Sequence, residues 1–165
     1  MWLFSVTLTT NLARGGRTSE PPAHDANWSQ ACFSPPVQEC EAVVYRILEA
    51  ARQVHGSLGP GFLESIYGRA LLVELKNYEM RVEVEKPIKV WYGPHLVGRH
   101  RLDLVVDGMV IVELKANRGI VAVHLAQMNS YLHATRYAAG LILNFGMPQP
   151  EWDIVRRPAT VVESP

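Results

Sequence analysis

Asp103, Glu113 and Lys115 are the residues of this chain whose types and spacing could do chemistry together. Glu113 and Lys115 sit two apart in an otherwise apolar run, "VIVELKAN". The period of a strand puts Ile111, Glu113 and Lys115 on one face and Val110, Val112 and Leu114 on the other. With the Val/Leu face in a core, the acid and the base project from a surface whose neighbours must be polar or solvated. Two carboxylates and a lysine on adjacent strands make a site for a hard divalent cation, Mg²⁺ or Mn²⁺, which keeps waters and can bind a phosphate oxygen. The lysine would orient or activate an attacking water, or stabilise charge on the phosphate. Glu64 lies in the first turn of a helix, shares a face with Tyr67 and Leu71, and is read as pointing inward, a third acid for the same site.

Whether Asp103 joins Glu113 depends on the turn at Asp107-Gly108. A two-residue loop pairs Val106 with Met109 and throws Asp103 onto the opposite face. A three-residue loop, Val106 to Gly108 with Gly108 left-handed, pairs Asp103 with Ile111 and gathers Asp103, Glu113 and Lys115 on one face. The odd loop is the expectation.

The elements that must position these residues follow from periodicity. Val43, Ile47, Ala51, Val54 and Leu58 recur at steps of three and four, a helix with one buried stripe that "GSLGPG" ends. Leu63, Tyr67, Ala70, Leu71 and Leu75 predict a second helix from about Gly61 to Asn77. Period 2 takes over in Val82, Val84, Ile88, Val90 and Tyr92, a strand interrupted near Pro87. Strands over Val97 to Val106 and "MVIVELKA" follow, then a helix over Val121 to Thr135 and a buried strand in "AAGLILNFG". The predicted order is ααβββαβ, an α/β (α+β) chain.

Composition sets the outer limits. At 165 residues the chain suits one domain plus a tail. Residues 1–37, rich in Gly, Ser, Pro, Asn and Thr between Ala13 and Pro36, read as a disordered N-terminal tail, and 38–165 as the domain. Lys and Arg balance Asp and Glu at 16 each, which argues against bulk polyanion binding but leaves room for a local basic stripe. No apolar stretch approaches the ~20 residues a membrane span needs. Cys32 and Cys40 match no zinc or redox spacing, and a cytoplasmic setting is expected.

Taken singly, each feature has an ordinary explanation. Glu113 and Lys115 could be a surface ion pair, Glu64 a partner for a helix N-terminus, and Gln127 and Tyr131 a hydrogen-bonded pair. Their joint order is less ambiguous. Glu64, Asp103, Glu113-x-Lys115 and Gln127-xxx-Tyr131, on helix, strand, strand and helix, resemble the PD-(D/E)xK nuclease superfamily. "GFLESIY", with Gly61, Glu64 and Tyr67, is similar to the motif that names the bacterial GxxExxY protein family. The resemblance runs from about Glu41 to about Arg157. It implies a restriction-endonuclease-like αβββαβ core with an extra N-terminal helix and a mixed central sheet. It further implies Asp103 and Glu113 as ligands of Mg²⁺ or Mn²⁺, Lys115 as the water-positioning base or electrostatic stabiliser, and Glu64 as an additional acid. Tyr67, Gln127 and Tyr131 would support the site or touch substrate.

The function so implied is metal-dependent hydrolysis of phosphodiester bonds in DNA or RNA. Arg99, His100, Arg101 and Arg118, near the site in sequence, are expected to contact phosphates, or else to be solvated charges. Nucleic acid is the expected partner, with no membrane association and room for a homo-oligomer. The rival is a catalytically silent nucleic-acid-binding or protein-interaction module on the same fold.

Overall fold

The computed structural model describes residues 37–157. The tail expected over residues 1–37 therefore lies outside the described residues, apart from Val37, the first residue of helix α1. The elements in chain order are α1 (Val37–Leu58), α2 (Glu64–Asn77), β1 (Val82–Tyr92), β2 (His95–Val106), β3 (Val110–Lys115), α3 (Ala122–Ala134), β4 (Ala139–Asn144) and β5 (Glu151–Arg156). The five strands form one sheet in sequence order. Neighbours are antiparallel except β3 and β4, which run parallel because α3 carries the chain back between them.

The apolar stripe of α1 (Val43, Ile47, Ala51, Val54) and that of α2 (Tyr67, Leu71, Leu75) cover one face of the sheet, against Leu104, Val110, Val112, Leu114, Leu141 and Leu143. On the other face α3 lays Met128, Tyr131 and Leu132 over Val105, Ile111 and Ile142. With both faces covered, β3 is buried from Val110 to Leu114 and β4 throughout, which is why both read as nearly continuous apolar runs. This is the α+β, mixed-sheet architecture of the restriction-endonuclease-like fold.

Three details depart from the sequence reading. The face bearing Ile111 and Glu113 is not a solvated surface: α3 seals it, and polarity begins only at its end. The β1 strand runs through Pro87 without interruption, since an edge strand tolerates a missing N–H. Its irregularities lie elsewhere, at the left-handed Glu85 (φ 49°) and at a register shift between Val90 and Trp91. Finally, β5 was not expected. It is half-buried apart from the exposed Trp152 and Arg156, lies between Pro150 and Pro158, and is made a strand by pairing with β4.

The β1–β2 hairpin is long, and beyond Glu85 it comes over α3. Ile88 and Leu102 pack against Met128, Tyr131 and Leu132. Lys86 Nζ lies 5.5 Å from the centre of the Tyr137 ring just past α3.

Candidate functional site

The turn between β2 and β3 decides what meets what. Asp107 (φ 50°) and Gly108 (φ 68°) are both left-handed, and Met109 N donates to Val106 O at 3.0 Å, the signature of a type I′ turn. Met109 is the extra residue, so Val106 faces Val110 and Val105 faces Ile111. The loop is odd, as expected, but it comprises Asp107 to Met109, one position later than anticipated. The register therefore sets Asp103 level with Glu113 when continued two residues, instead of opposite Ile111. Arg81 fixes the turn from β1's side: its N–H donates to Asp107 Oδ1 at 2.9 Å and its carbonyl accepts from Asp107 N at 2.8 Å.

The β2–β3 ladder ends at Leu104 and Val112. Past that point Asp103 Oδ2 accepts from Leu114 N at 2.9 Å, taking the place of a backbone carbonyl and holding the splayed strands at a fixed spacing. Glu113 stands beside it, only 5% exposed. Its Oε1 accepts from Lys115 Nζ at 2.8 Å, while its Oε2 is buried without a hydrogen-bond partner among the described residues. Burial pushes the Glu113 carboxyl above its ordinary range; the Asp103 charge adds to this, and Lys115 works against it. An unpaired carboxylate oxygen in a low-dielectric wall is costly unless something positive is held there.

α3 supplies the opposite wall. Gln127 Nε2 donates to Tyr131 OH at 2.6 Å, and the same hydroxyl is hydrogen-bonded to His100 Nε2, with the two rings 4.9 Å apart. Burial, reinforced by the negative charge of Glu113, pushes the Tyr131 hydroxyl up to about 12. At neutral pH it remains a protonated hydrogen-bonding group.

The "GFLESIY" stretch is explained by what it holds. Gly61 has φ 114°, a conformation strained for any side chain, and it brings the chain into α2. Tyr67 is fully buried, donates to Gly59 O at 2.6 Å and accepts from Phe62 N at 3.1 Å, clamping that entry loop. Its ring stacks on Phe145 at 4.7 Å, and Phe145 N donates to Lys115 O at 2.8 Å. Glu64, the first residue of α2, reaches Ala116 N at 3.3 Å through Oε1. The motif thus ties the start of α2 to the end of β3.

The family model for the PD-(D/E)XK nuclease superfamily matches residues 41–157. The chain belongs to that superfamily. No curated protein and no solved structure matches it.

Within this PD-(D/E)XK domain the residues singled out from sequence divide into groups. Asp103, Glu113, Lys115, Gln127 and Tyr131 are linked around the splayed end of β3 by hydrogen bonds and by the charges that act on Glu113 and Tyr131. Glu64, in the first turn of α2 as expected, is at the same strand end but exposed to solvent, with its carboxylate turned toward Ala116 N. Among the described residues no three His, Cys, Asp or Glu side chains cluster as a metal site, so Glu64 does not complete a triad of acids. Tyr67 is sealed in the α1–α2 core. Arg99, Arg101 and Arg118 are exposed, and Arg101 is paired with Glu85 at 3.1 Å.

Two further residues stand at the site: His100, expected only as a phosphate contact, and Asn144, which was not expected there. His100 reaches Tyr131 only because the hairpin comes over α3, which no local pattern announces. Asn144 is buried at the end of β4: its Oδ1 accepts from Asn117 N at 2.9 Å and Gly146 N at 3.2 Å, and its Nδ2 donates to Asn117 O at 3.1 Å. A side chain at Gly146 would strike the Asn117 backbone, with its first carbon 2.3 Å from that carbonyl oxygen. A polar Asn inside the apolar run "LILNFG" was the available signal, since a buried amide must have its hydrogen bonds met.

Proposed function

We propose that this domain is a metal-dependent phosphodiesterase acting on DNA or RNA. The observation that carries the reading is the convergence of Asp103 and Glu113 at the splayed strand ends, with Glu113 Oε2 buried and unpartnered beside the Lys115 ammonium. PD-(D/E)XK nucleases generally use divalent metals, and the donors here fit one. Asp103 and Glu113 offer hard carboxylate oxygens, and two such ligands suit an ion of the Mg²⁺ or Mn²⁺ type that retains most of its waters. Bound between them, that ion would supply electrostatic stabilisation of the charge that develops on the phosphoryl oxygens.

The chain's own groups account for the rest. Lys115 keeps ammonium hydrogens beyond the one on Glu113, and these orient an attacking water or hold a non-bridging phosphate oxygen. Tyr131, protonated and braced by Gln127 and His100, fixes the wall opposite Glu113. Glu64 holds the backbone just past Lys115 and so sets where that lysine leaves β3. The ion pair between Lys115 and Glu113 favours a second reading, a silent module in which the two residues satisfy each other.

Cleavage of single- and double-stranded DNA and RNA, with Mg²⁺ or Mn²⁺ and then with chelator, separates the two. Metal-dependent hydrolysis that disappears in Glu113→Ala is the expected result. Hydrolysis at the wild-type rate in Glu113→Ala, or none by the wild type under any of these conditions, overturns the reading.

A further inference from the structure

A second feature lies along the same hairpin and helix. The outer part of the β1–β2 hairpin, the C-terminal half of α3 and the end of β5 enclose an open cleft of about 960 Å³. That is the upper end of the ~300–1,000 Å³ usual for ligand pockets. Its polar lining is Lys89, Asn129, Ser130, His133, Arg156 and Arg157, with no acid among the described residues that line it. In a chain whose positive and negative side chains balance, such a one-signed lining is a local choice. Arg156 is already engaged by Glu41 at 2.6 Å, but among the described residues the Arg157 guanidinium donates to the neutral Thr135 carbonyl and meets no acid, which keeps its charge for a ligand. Trp91 is 51% exposed, with the Lys89 ammonium over its ring, 6.0 Å from the centre, so one exposed aromatic ring is coupled to a cation.

Cations that follow a backbone and an aromatic face that takes a base are the two parts of a single-strand nucleic-acid site. A duplex keeps its bases stacked inward and cannot offer one to Trp91. Along β1 the cleft lies beyond the level of the carboxylate site: Ile88 pairs with His100, the residue that touches Tyr131, and Trp91 is three residues farther toward the hairpin tip, roughly 10 Å past that level at strand spacing.

We infer that the cleft lined by Lys89, Trp91, Asn129, His133 and Arg157 binds single-stranded nucleic acid, a base on Trp91 and phosphates on Lys89 and Arg157. Resting on the nuclease reading, this makes the preferred substrate a single strand or the unpaired end of a duplex, held by the hairpin farther along β1 from the carboxylates.

The test measures binding in chelator, where no metal-dependent cleavage occurs, using the full chain and the fluorescence anisotropy of a labelled pyrimidine 12-mer, single-stranded or in duplex. The single strand is expected to bind more tightly. Trp91→Ala should weaken single-strand binding about tenfold, with Trp91→Phe recovering most of the loss. Lys89→Gln should lower the slope of log K against log salt by about 0.7, the share of one phosphate on a single strand. Trp152→Ala, an exposed tryptophan on β5, should bind as wild type does. Unchanged binding in both Trp91→Ala and Lys89→Gln, or tighter binding of the duplex, overturns the inference. Such a result alongside Glu113-dependent cleavage leaves the nuclease reading standing. Trp91-dependent binding with no cleavage on adding Mg²⁺ or Mn²⁺ sinks the nuclease reading and keeps the cleft.

Discussion

The two faces of β3 are one strand solved in two ways. Val110, Val112 and Leu114 face α1 and α2 and are buried in apolar company from end to end. On the α3 side the face begins the same way, with Ile111 under Met128, but passes within two residues to Glu113, equally buried and carrying a carboxylate oxygen with no partner among the described residues. The first face gains from excluding water. The second gives up part of that gain to keep an ionisable group where water is scarce, which strengthens any charge placed next to it. The same strand thus supplies stability from one side and reactivity from the other, and the first face must fund the second.

This contrast can be broken first by activity. Lys115→Ala removes no ligand, so Mn²⁺ binding, followed by calorimetry, should survive while turnover falls about 10²-fold. Asp103→Ala should lose both. A Lys115→Ala protein that fails to fold would make the Glu113–Lys115 pair part of the core and erase the difference between the faces.

On the apolar face the expected loss is of stability. Leu114→Ala should cost about 2–5 kcal/mol in urea unfolding, because it opens a cavity beneath α2. A smaller cost is expected at Tyr67→Phe, about 1–3 kcal/mol for the two hydrogen bonds that clamp the loop from Gly59 to Phe62. Since that loop leads into Glu64, the variant should also lose activity at temperatures where it stays folded.

The last effect is small and opposite in sign. The Glu113 carboxyl lies above its ordinary range in the fold, so the folded state holds the proton more tightly than the unfolded chain does. The stability from this group is complete below the unfolded carboxyl range and is lost as pH rises through the raised value. Without added metal, Glu113→Gln should therefore gain stability relative to wild type as pH goes from about 4 to about 8. Thermal melts at the two ends check this. A gap that narrows with rising pH would mean that Lys115 outweighs burial.

What the sequence determined was set by short-range repetition. The stripes of α1 and α2, the alternation of Val110 to Lys115 and the turn residues Asp107-Gly108 each report a local preference, and together they specified the order of helices and strands and, through an odd loop, the parity that puts Asp103 and Glu113 on one face. Parity needs only an odd loop, but register needs to know which residue is the extra one. That was decided by Arg81, just before β1, pairing with Asp107 from 26 residues upstream in chain order. The same holds for His100 beside Tyr131, for β5 and for the cleft at Trp91. Each exists only because the hairpin comes over α3 or because β4 offers a free edge, and contacts between segments far apart in the chain leave no period in either one.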